Sequence, residues 1–143
     1  MKKILLATDG SAFAERALHL ASRLAADAGA ALVILTVRQL NADPYTQEFA
    51  RSEHATADEI LERDCASLLA QAASDAKKDG LANVTSIARE GDPTAALLEV
   101  AKEQSADLIV VGKRGRGRLE GLLLGSVSQK LVSLAPCPVM VVP

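Results

Sequence analysis

The sequence predicts an α/β fold in which helices cover both faces of a mostly parallel sheet. Short aliphatic runs alternate with segments of helical periodicity five times, and no two strands are joined by a hairpin signal. Only 2% of the residues are aromatic, so the core must be aliphatic. A chain of 143 residues is long enough to bury such a core, and we expect one domain over residues 1–143.

Turn and cap residues delimit the elements of the first half. The first strand ends at Asp9-Gly10-Ser11, and Gly29 ends the first helix, because glycine readily adopts the left-handed backbone at that position. In chain order we expect a strand over 4–8, a helix over 12–28, a strand over 31–37, a polar loop with or without a helical turn over 38–52, and a helix over 53–79.

The second half repeats the alternation. Asp92 is the expected N-cap of a helix that begins at Pro93. Proline suits this first position because the backbone N–H that it lacks would have no acceptor within the helix. We expect a polar strand over 84–89 near the sheet edge, the helix after Pro93, a buried strand over 107–111, a helix over 126–134 and a final strand over 138–142.

Composition narrows the class of protein. The net charge of −2 and the pI near 5.7 argue against general nucleic-acid binding. No apolar run reaches the roughly 18 residues of a membrane span, and the N-terminal run is too short for a signal peptide because Asp9 interrupts it. We therefore expect a cytoplasmic protein without a membrane partner. The two cysteines and two histidines lack metal-site spacing.

Three predicted loops share one edge of the sheet. In open parallel sheets, ligands bind beyond the carboxyl ends of the strands, where the strand order reverses. The loops at that edge are Asp9-Gly10-Ser11, the segment after Val37, and residues 112–125. Thr36 and Val37 would supply an apolar wall and a backbone edge for a base. The loops are therefore expected to form one ligand site.

The third loop has the character of a phosphate site. Gly112-Lys113-Arg114-Gly115 follows a buried strand, and after nine residues Gly125-Ser126 opens a helix. Backbone N–H groups near spaced glycines and at a helix N-terminus bind anions. The spacing is neither a Walker A loop nor a dinucleotide fingerprint. The alternative is a flexible surface loop, but phosphate binding is the preferred interpretation. The expected donors are the N–H groups of Gly115, Gly125, Ser126 and Val127 and the hydroxyls of Ser126 and Ser128.

Charged residues flank this loop. Lys113, Arg114, Arg116 and Arg118 would attract an anionic ligand or form a solvated surface, and no aromatic residues accompany them as RNA binding would favour. Asp9 would accept ribose hydroxyls or help to hold hydrated Mg²⁺, and the structural alternative is that the side chain of Asp9 or of Ser11 caps the next helix.

These residues resemble the nucleotide-binding branch of the universal stress protein family. The resemblance covers essentially the whole chain, from the opening run 4–11 through Gly91-Asp92-Pro93 to the ending 135–142. Its diagnostic element is the pattern G-x2-G-x9-G-[ST], which Gly112, Gly115, Gly125 and Ser126 match.

The resemblance implies a Rossmann-like five-stranded sheet of order 3-2-1-4-5, bound ATP with Mg²⁺, and a homodimer paired through the last strand. Asp9 is the one expected metal ligand. The implied contacts are the nucleoside at Ala7, Thr8 and Asp9, the adenine at Val37, the pocket wall at Val111 and Gly112, and the phosphates at Gly115, Gly125, Ser126, Val127 and Ser128.

Three functions remain open from the sequence. The first is an ATP-binding regulatory or stress-response switch, which is favoured because no nucleophile or acid–base pair accompanies the phosphate site. The second is a slow Mg²⁺-dependent ATP hydrolase or nucleotidyl-transfer enzyme. The third is a dimeric interaction module in which nucleotide binding is incidental. The sequence identifies no catalytic residue and no protein partner.

Overall fold

A computed structural model describes residues 1–39, 44–115 and 123–143. Strands and helices alternate along the chain, with one additional helix after the second strand. The elements are β1 (Lys3–Ala7), α1 (Ala12–Ala28), β2 (Ala31–Arg38), α2 (Pro44–Ser52), α3 (Ala57–Lys78), β3 (Val84–Glu90), α4 (Pro93–Glu103), β4 (Leu108–Gly112), α5 (Ser126–Leu134) and β5 (Val139–Val142).

The five strands form one parallel sheet in the order β3-β2-β1-β4-β5. This confirms the expected fold class and strand order. β1 lies in the centre and pairs with both β2 and β4. After β1, strands β2 and β3 are added on one side of β1, and strands β4 and β5 are then added on its other side. The strand order therefore reverses between β1 and β4, where a ligand site is expected.

The sheet buries apolar side chains on both faces. Within β1, Ile4 and Leu6 belong to one cluster, whereas Leu5 between them belongs to the other, as the two-residue period of a strand requires. The first cluster includes residues of α1 and α3, and the second includes residues of α4 and α5. Burial of β1 on both faces explains its uninterrupted aliphatic sequence.

The helix starts confirm two sequence predictions. Ser11 is the N-cap of α1, where its Oγ accepts the N–H of Ala14 at 3.2 Å. Asp92 is the N-cap of α4, where its Oδ2 accepts the N–H of Ala95 at 2.9 Å, and Pro93 follows as the first helical residue. Both side chains satisfy a donor that the helix cannot satisfy itself. In the part of the chain that the structure describes, no helix is long and apolar enough to cross a membrane.

The segment between β2 and β3 differs from the prediction. Much of the stretch expected as a loop over 38–52 is α2, and the expected helix start at residue 53 is wrong, because α3 begins at Ala57. His54 has a φ of 53°, and Thr56 caps α3 in a reciprocal arrangement with Glu59. The sequence Thr56-Ala57-Asp58-Glu59 is a capping-box pattern that signalled this boundary.

Candidate functional site

Asp9 is held in the turn between β1 and α1. The N–H of Ser11 donates to Asp9 Oδ1 at 2.9 Å, while the Ser11 hydroxyl caps the helix. Gly10 has a φ of 76°, a conformation that glycine adopts without strain. Of the two candidate caps, Ser11 therefore performs this role, and Asp9 fastens the preceding turn. The second carboxylate oxygen, Oδ2, lies on the side of Gly115.

Asp9 Oδ2 lies against Gly115. A Cβ built on Gly115 would lie 2.7 Å from this oxygen, which is closer than real Cβ atoms approach other atoms. Gly115 is exposed, so the restriction comes from Asp9 rather than from core packing. The first and third of the predicted loops therefore meet, and an acidic side chain lies beside a glycine expected at the phosphates.

At position 112, a side chain is excluded by the start of α1. A Cβ on Gly112 would lie 2.8 Å from both the carbonyl carbon and the Cβ of Phe13, and 3.0 Å from the N of Ala14. The start of α1 thus packs directly on the end of β4. Gly112 allows two backbone segments to approach each other, and this close approach brings the Asp9 turn to the glycine loop.

The ends of the glycine loop are joined by hydrogen bonds at the start of α5. The N–H of Gly125 donates to the carbonyl of Lys113 at 2.8 Å, and Lys113 N–H donates to Val142 O at 2.7 Å. The Ser128 hydroxyl lies 3.1 Å from the Lys113 carbonyl oxygen and 3.0 Å from that of Gly125, so its one proton is shared between these two acceptors. Ser128 therefore has a structural role here, and a contact of its hydroxyl with phosphate stays a prediction.

The first turn of α5 carries backbone donors. Gly125 is the N-cap and has no side chain with which to cap the helix. The first N–H groups of a helix have no acceptor within it, and the helix dipole is positive at that end. Ser126, Val127 and Ser128 occupy this turn, as predicted from the sequence. This part of the site can therefore accommodate negative charge.

The central strands supply the remaining predicted positions. Thr8 is buried and its N–H donates to Leu35 O at 2.9 Å, while its Oγ1 accepts the N–H of Gly10 at 3.3 Å. Ala7 pairs with Leu35, so Val37 lies two residues further along β2 at the same sheet edge. Ala7 and Val37 are half-buried, which leaves part of their surface for a ligand.

Two predicted positions differ in exposure. Val111 is 4% exposed and belongs to the core cluster of the second sheet face, whereas Gly112 is half-buried. Val111 therefore packs mainly within the core, and only Gly112 offers accessible surface at the end of β4. Their contact with a nucleotide stays a prediction.

Part of the basic group lies outside the described residues. Arg116 and Arg118 fall in the segment 116–122, so the structure does not test their expected roles. Lys113 and Arg114 are described and half-buried. The guanidinium carbon of Arg114 lies 5.1 Å from the centroid of the Phe13 ring. In the sequence Phe13 is one of the apolar positions of α1, and no local pattern connects it with Arg114.

Titratable groups away from this edge form no comparable site. His19 Nδ1 lies 2.7 Å from Asp79 Oδ2 on the exposed surface between α1 and the end of α3. Burial raises the pKa of the Cys65 thiol, although the charge of Arg38 acts in the opposite direction. Within residues 1–39, 44–115 and 123–143, no three His, Cys, Asp or Glu residues cluster as a metal site.

The sequence was also compared with known proteins. The profile of the universal stress protein family matches residues 1–143. The chain belongs to this family. It is 36% identical to a universal stress protein of Thermus aquaticus over 99% of this chain and 98% of that protein. It is also 36% identical to the universal stress protein YxiE of Bacillus subtilis, over 98% of this chain and 97% of the relative.

The fold is similar to that of solved universal stress proteins. One of them, determined in complex with cAMP, superposes with a TM-score of 0.75 and is 28% identical in sequence. The similarity covers 99% of this chain and 97% of that protein. A nucleotide therefore binds a protein of this fold and of related sequence.

Proposed function

We propose that this protein binds ATP with Mg²⁺ and acts as a nucleotide-dependent regulatory switch of the universal stress protein family. The observation that carries the proposal is the contact of Asp9 with Gly115 at the point where the strand order reverses. It joins a carboxylate suited to ribose hydroxyls or a hydrated cation with a loop suited to phosphate. The cAMP complex of a related protein supports the choice of an adenine nucleotide.

The proposed contacts follow the order of the loops around the site. Ala7, Thr8 and Asp9 would surround the nucleoside, with Val37 beside the adenine and Gly112 and Val111 at the wall. The backbone at Gly115 and the first turn of α5 would hold the phosphates, since that turn carries unpaired donors at the positive end of the helix dipole. Asp9 would help to hold Mg²⁺, and the ion would offset negative charge on the phosphates. The phosphate donors are the N–H groups of Gly115, Ser126, Val127 and Ser128, whereas the N–H of Gly125 is already bound to the Lys113 carbonyl and lines the site without donating to phosphate.

The proposal is tested by calorimetric titration of nucleotide-stripped protein with ATP, AMP and GTP, each with and without Mg²⁺. We expect ATP to bind more tightly than GTP and Mg²⁺ to strengthen its binding. Asp9→Asn should abolish the gain from Mg²⁺, whereas Asp64→Asn, on the exposed part of α3, controls for the loss of one negative charge. Failure of the wild-type protein to bind any of these nucleotides would overturn the proposal.

The same protein preparations separate a switch from a slow hydrolase. Phosphate release from Mg²⁺-ATP is measured at several protein concentrations for the wild type and for Asp9→Ala. A switch predicts bound ATP that stays intact. Release that scales with the protein and is lost in Asp9→Ala would instead establish the hydrolase.

We further propose a homodimer paired through β5. This strand is at the edge of the sheet, and its Val139, Met140 and Val141 are only half-buried. An apolar edge strand is prone to pair with another chain. Sedimentation should show a dimer, and Val141→Lys should shift it toward monomer. A monomeric wild type at tens of micromolar would refute the dimer without affecting nucleotide binding.

A further inference from the structure

The guanidinium of Arg114 is stacked near an aromatic ring at the edge of the candidate site. Its carbon Cζ lies 5.1 Å from the centroid of Phe13, within the distance at which a cation and an aromatic face attract each other. Phe13 is half-buried on the first turn of α1, one turn from Asp9. A residue of the glycine loop is thus restrained by a residue of α1.

The backbone of Arg114 lies beside the start of α5. A Cβ on Gly125 would lie 3.3 Å from the Cα of Arg114, and Arg114 directly precedes Gly115, which contacts Asp9. The side chain therefore originates between two glycines that are expected at the phosphates. Its guanidinium is a planar group with several donors, a geometry suited to phosphate oxygens.

We propose that Phe13 is a positioning residue for Arg114, and that the fixed guanidinium of Arg114 makes the site prefer nucleotides with more phosphate charge. The inference rests on the nucleotide site proposed above and adds a determinant of its selectivity. A fixed cation contributes more to the binding of a triphosphate than of a monophosphate, because the Coulomb attraction grows with ligand charge. Restraint by the ring reduces the side-chain entropy that Arg114 loses on binding.

The close approach of α1 to position 112 involves atoms that Phe13 shares with other residues. The atoms of Phe13 nearest to a Cβ built on Gly112 are its carbonyl carbon and Cβ, which every residue except glycine retains. Substitution by leucine thus keeps this contact and an apolar side chain while removing the aromatic face. Phe13→Leu therefore separates positioning of Arg114 from stability of the fold.

The chain also supplies a matched control for charge. The guanidinium carbon of Arg16 lies 4.6 Å from the same ring centroid, but Arg16 Nε donates to Pro143 O at 2.8 Å. Arg16 belongs to α1 and not to the glycine loop. Arg16→Gln removes the same charge from the same ring without altering the loop. It should leave the preference for ATP over AMP within about twofold of the wild type, since surface charges are largely screened at physiological salt.

The experiment measures Kd for ATP and AMP by calorimetry, at one fixed ionic strength, and uses their ratio as the readout. Arg114→Gln should reduce the preference for ATP by about tenfold, the usual effect of losing a hydrogen bond between charged groups. Phe13→Leu should reduce it by about threefold, as expected for loss of an exposed cation–π contact, and Phe13→Tyr should preserve it. In the Arg114→Gln background, Phe13→Leu should have no further effect.

Each outcome decides between the proposals. A preference that Arg114→Gln leaves unchanged would overturn the role of Arg114, even though nucleotide binding itself stands. An equal effect of Phe13→Leu with and without Arg114 would show that Phe13 acts on the site by another route, which overturns the positioning role. A wild type that binds neither nucleotide would overturn the nucleotide site and, with it, this inference.

Discussion

The carboxylate of Asp9 and the Cα of Gly115 are in contact across the sheet edge where β1 and β4 end. A Cβ at position 115 would lie 2.7 Å from Asp9 Oδ2, and Asp9 Oδ1 is held by the N–H of Ser11. The absence of a side chain at Gly115 therefore leaves room for the Asp9 carboxylate and allows the two loops of the proposed site to approach each other.

A side chain at Gly115 should impair binding but not folding. We expect Gly115→Val to weaken ATP binding at least tenfold, or about 1.4 kcal/mol, because the new side chain would displace Asp9 and enter the phosphate loop. Gly115 is exposed, so the thermal unfolding midpoint should change little. Calorimetry and thermal denaturation of the same sample measure both effects. Unchanged affinity in a folded variant would contradict this placement of the phosphates.

A side chain at Gly112 should impair folding instead. In Gly112→Ala the new methyl group would meet backbone atoms of Phe13 and Ala14 at 2.8 to 3.0 Å, and α1 would have to shift from β4. Overpacking of this kind costs about 1–3 kcal/mol of unfolding free energy. Urea denaturation measures the cost, with Gly115→Ala as the matched glycine substitution. Equal stability of both variants would refute the distinction between the two glycines.

Loss of the cap on α3 should destabilise the protein without affecting the site. Thr56 Oγ1 accepts the N–H of Glu59 at 3.1 Å, and Glu59 Oε2 accepts the N–H of Thr56 at 3.4 Å. We expect Thr56→Ala to lower the unfolding free energy by about 1 kcal/mol, and Thr56→Ser to preserve it because serine keeps the accepting oxygen. Urea denaturation of the three proteins measures this. A Thr56→Ser variant as unstable as Thr56→Ala would exclude capping as the cause.

Asp107 should make stability dependent on acid pH. Its Oδ2 accepts the N–H groups of Lys2 at 2.7 Å and Lys3 at 2.9 Å, and these hydrogen bonds lower the pKa of Asp107 below its usual range. A carboxyl group whose pKa is lower in the folded state stabilises that state above its unfolded pKa of about 3.9. This contribution is lost as pH falls through the folded pKa.

The test compares urea denaturation of the wild type and Asp107→Asn between pH 7 and pH 2. The wild type should be more stable above pH 4, and the difference should shrink as pH decreases below 4, because protonation removes the advantage of the carboxylate. Asp64→Asn controls for the general effect of one fewer negative charge. A difference independent of pH would contradict the assignment to the charged form of Asp107.

Local patterns were sufficient for most elements. The alternation of aliphatic runs with helical segments predicted the parallel sheet, and Asp92 caps α4 as predicted, whereas the structure was needed to choose Ser11 over Asp9 as the cap of α1. The exception was the region of α2, whose polar composition resembled that of a loop. The α2 helix is short and largely exposed, so its sequence shows little of the apolar periodicity by which a helix is recognised. The capping-box sequence from Thr56 to Glu59 is the local signal that the prediction of a helix from residue 53 missed.

The sequence by itself determined the alternation of elements, the spacing of Gly112, Gly115 and Gly125 and the family to which the chain belongs, because each is encoded in short-range or positional patterns. Only the tertiary structure decided that Asp9 contacts Gly115, that Gly112 admits the backbone of α1, and that Phe13 stacks near Arg114. These relationships join the turn after β1 and the start of α1 to the last residue of β4 and the loop that follows it. They arise because β1 and β4 are neighbours in the sheet although distant in the chain, and no local pattern records the contacts that such pairing creates.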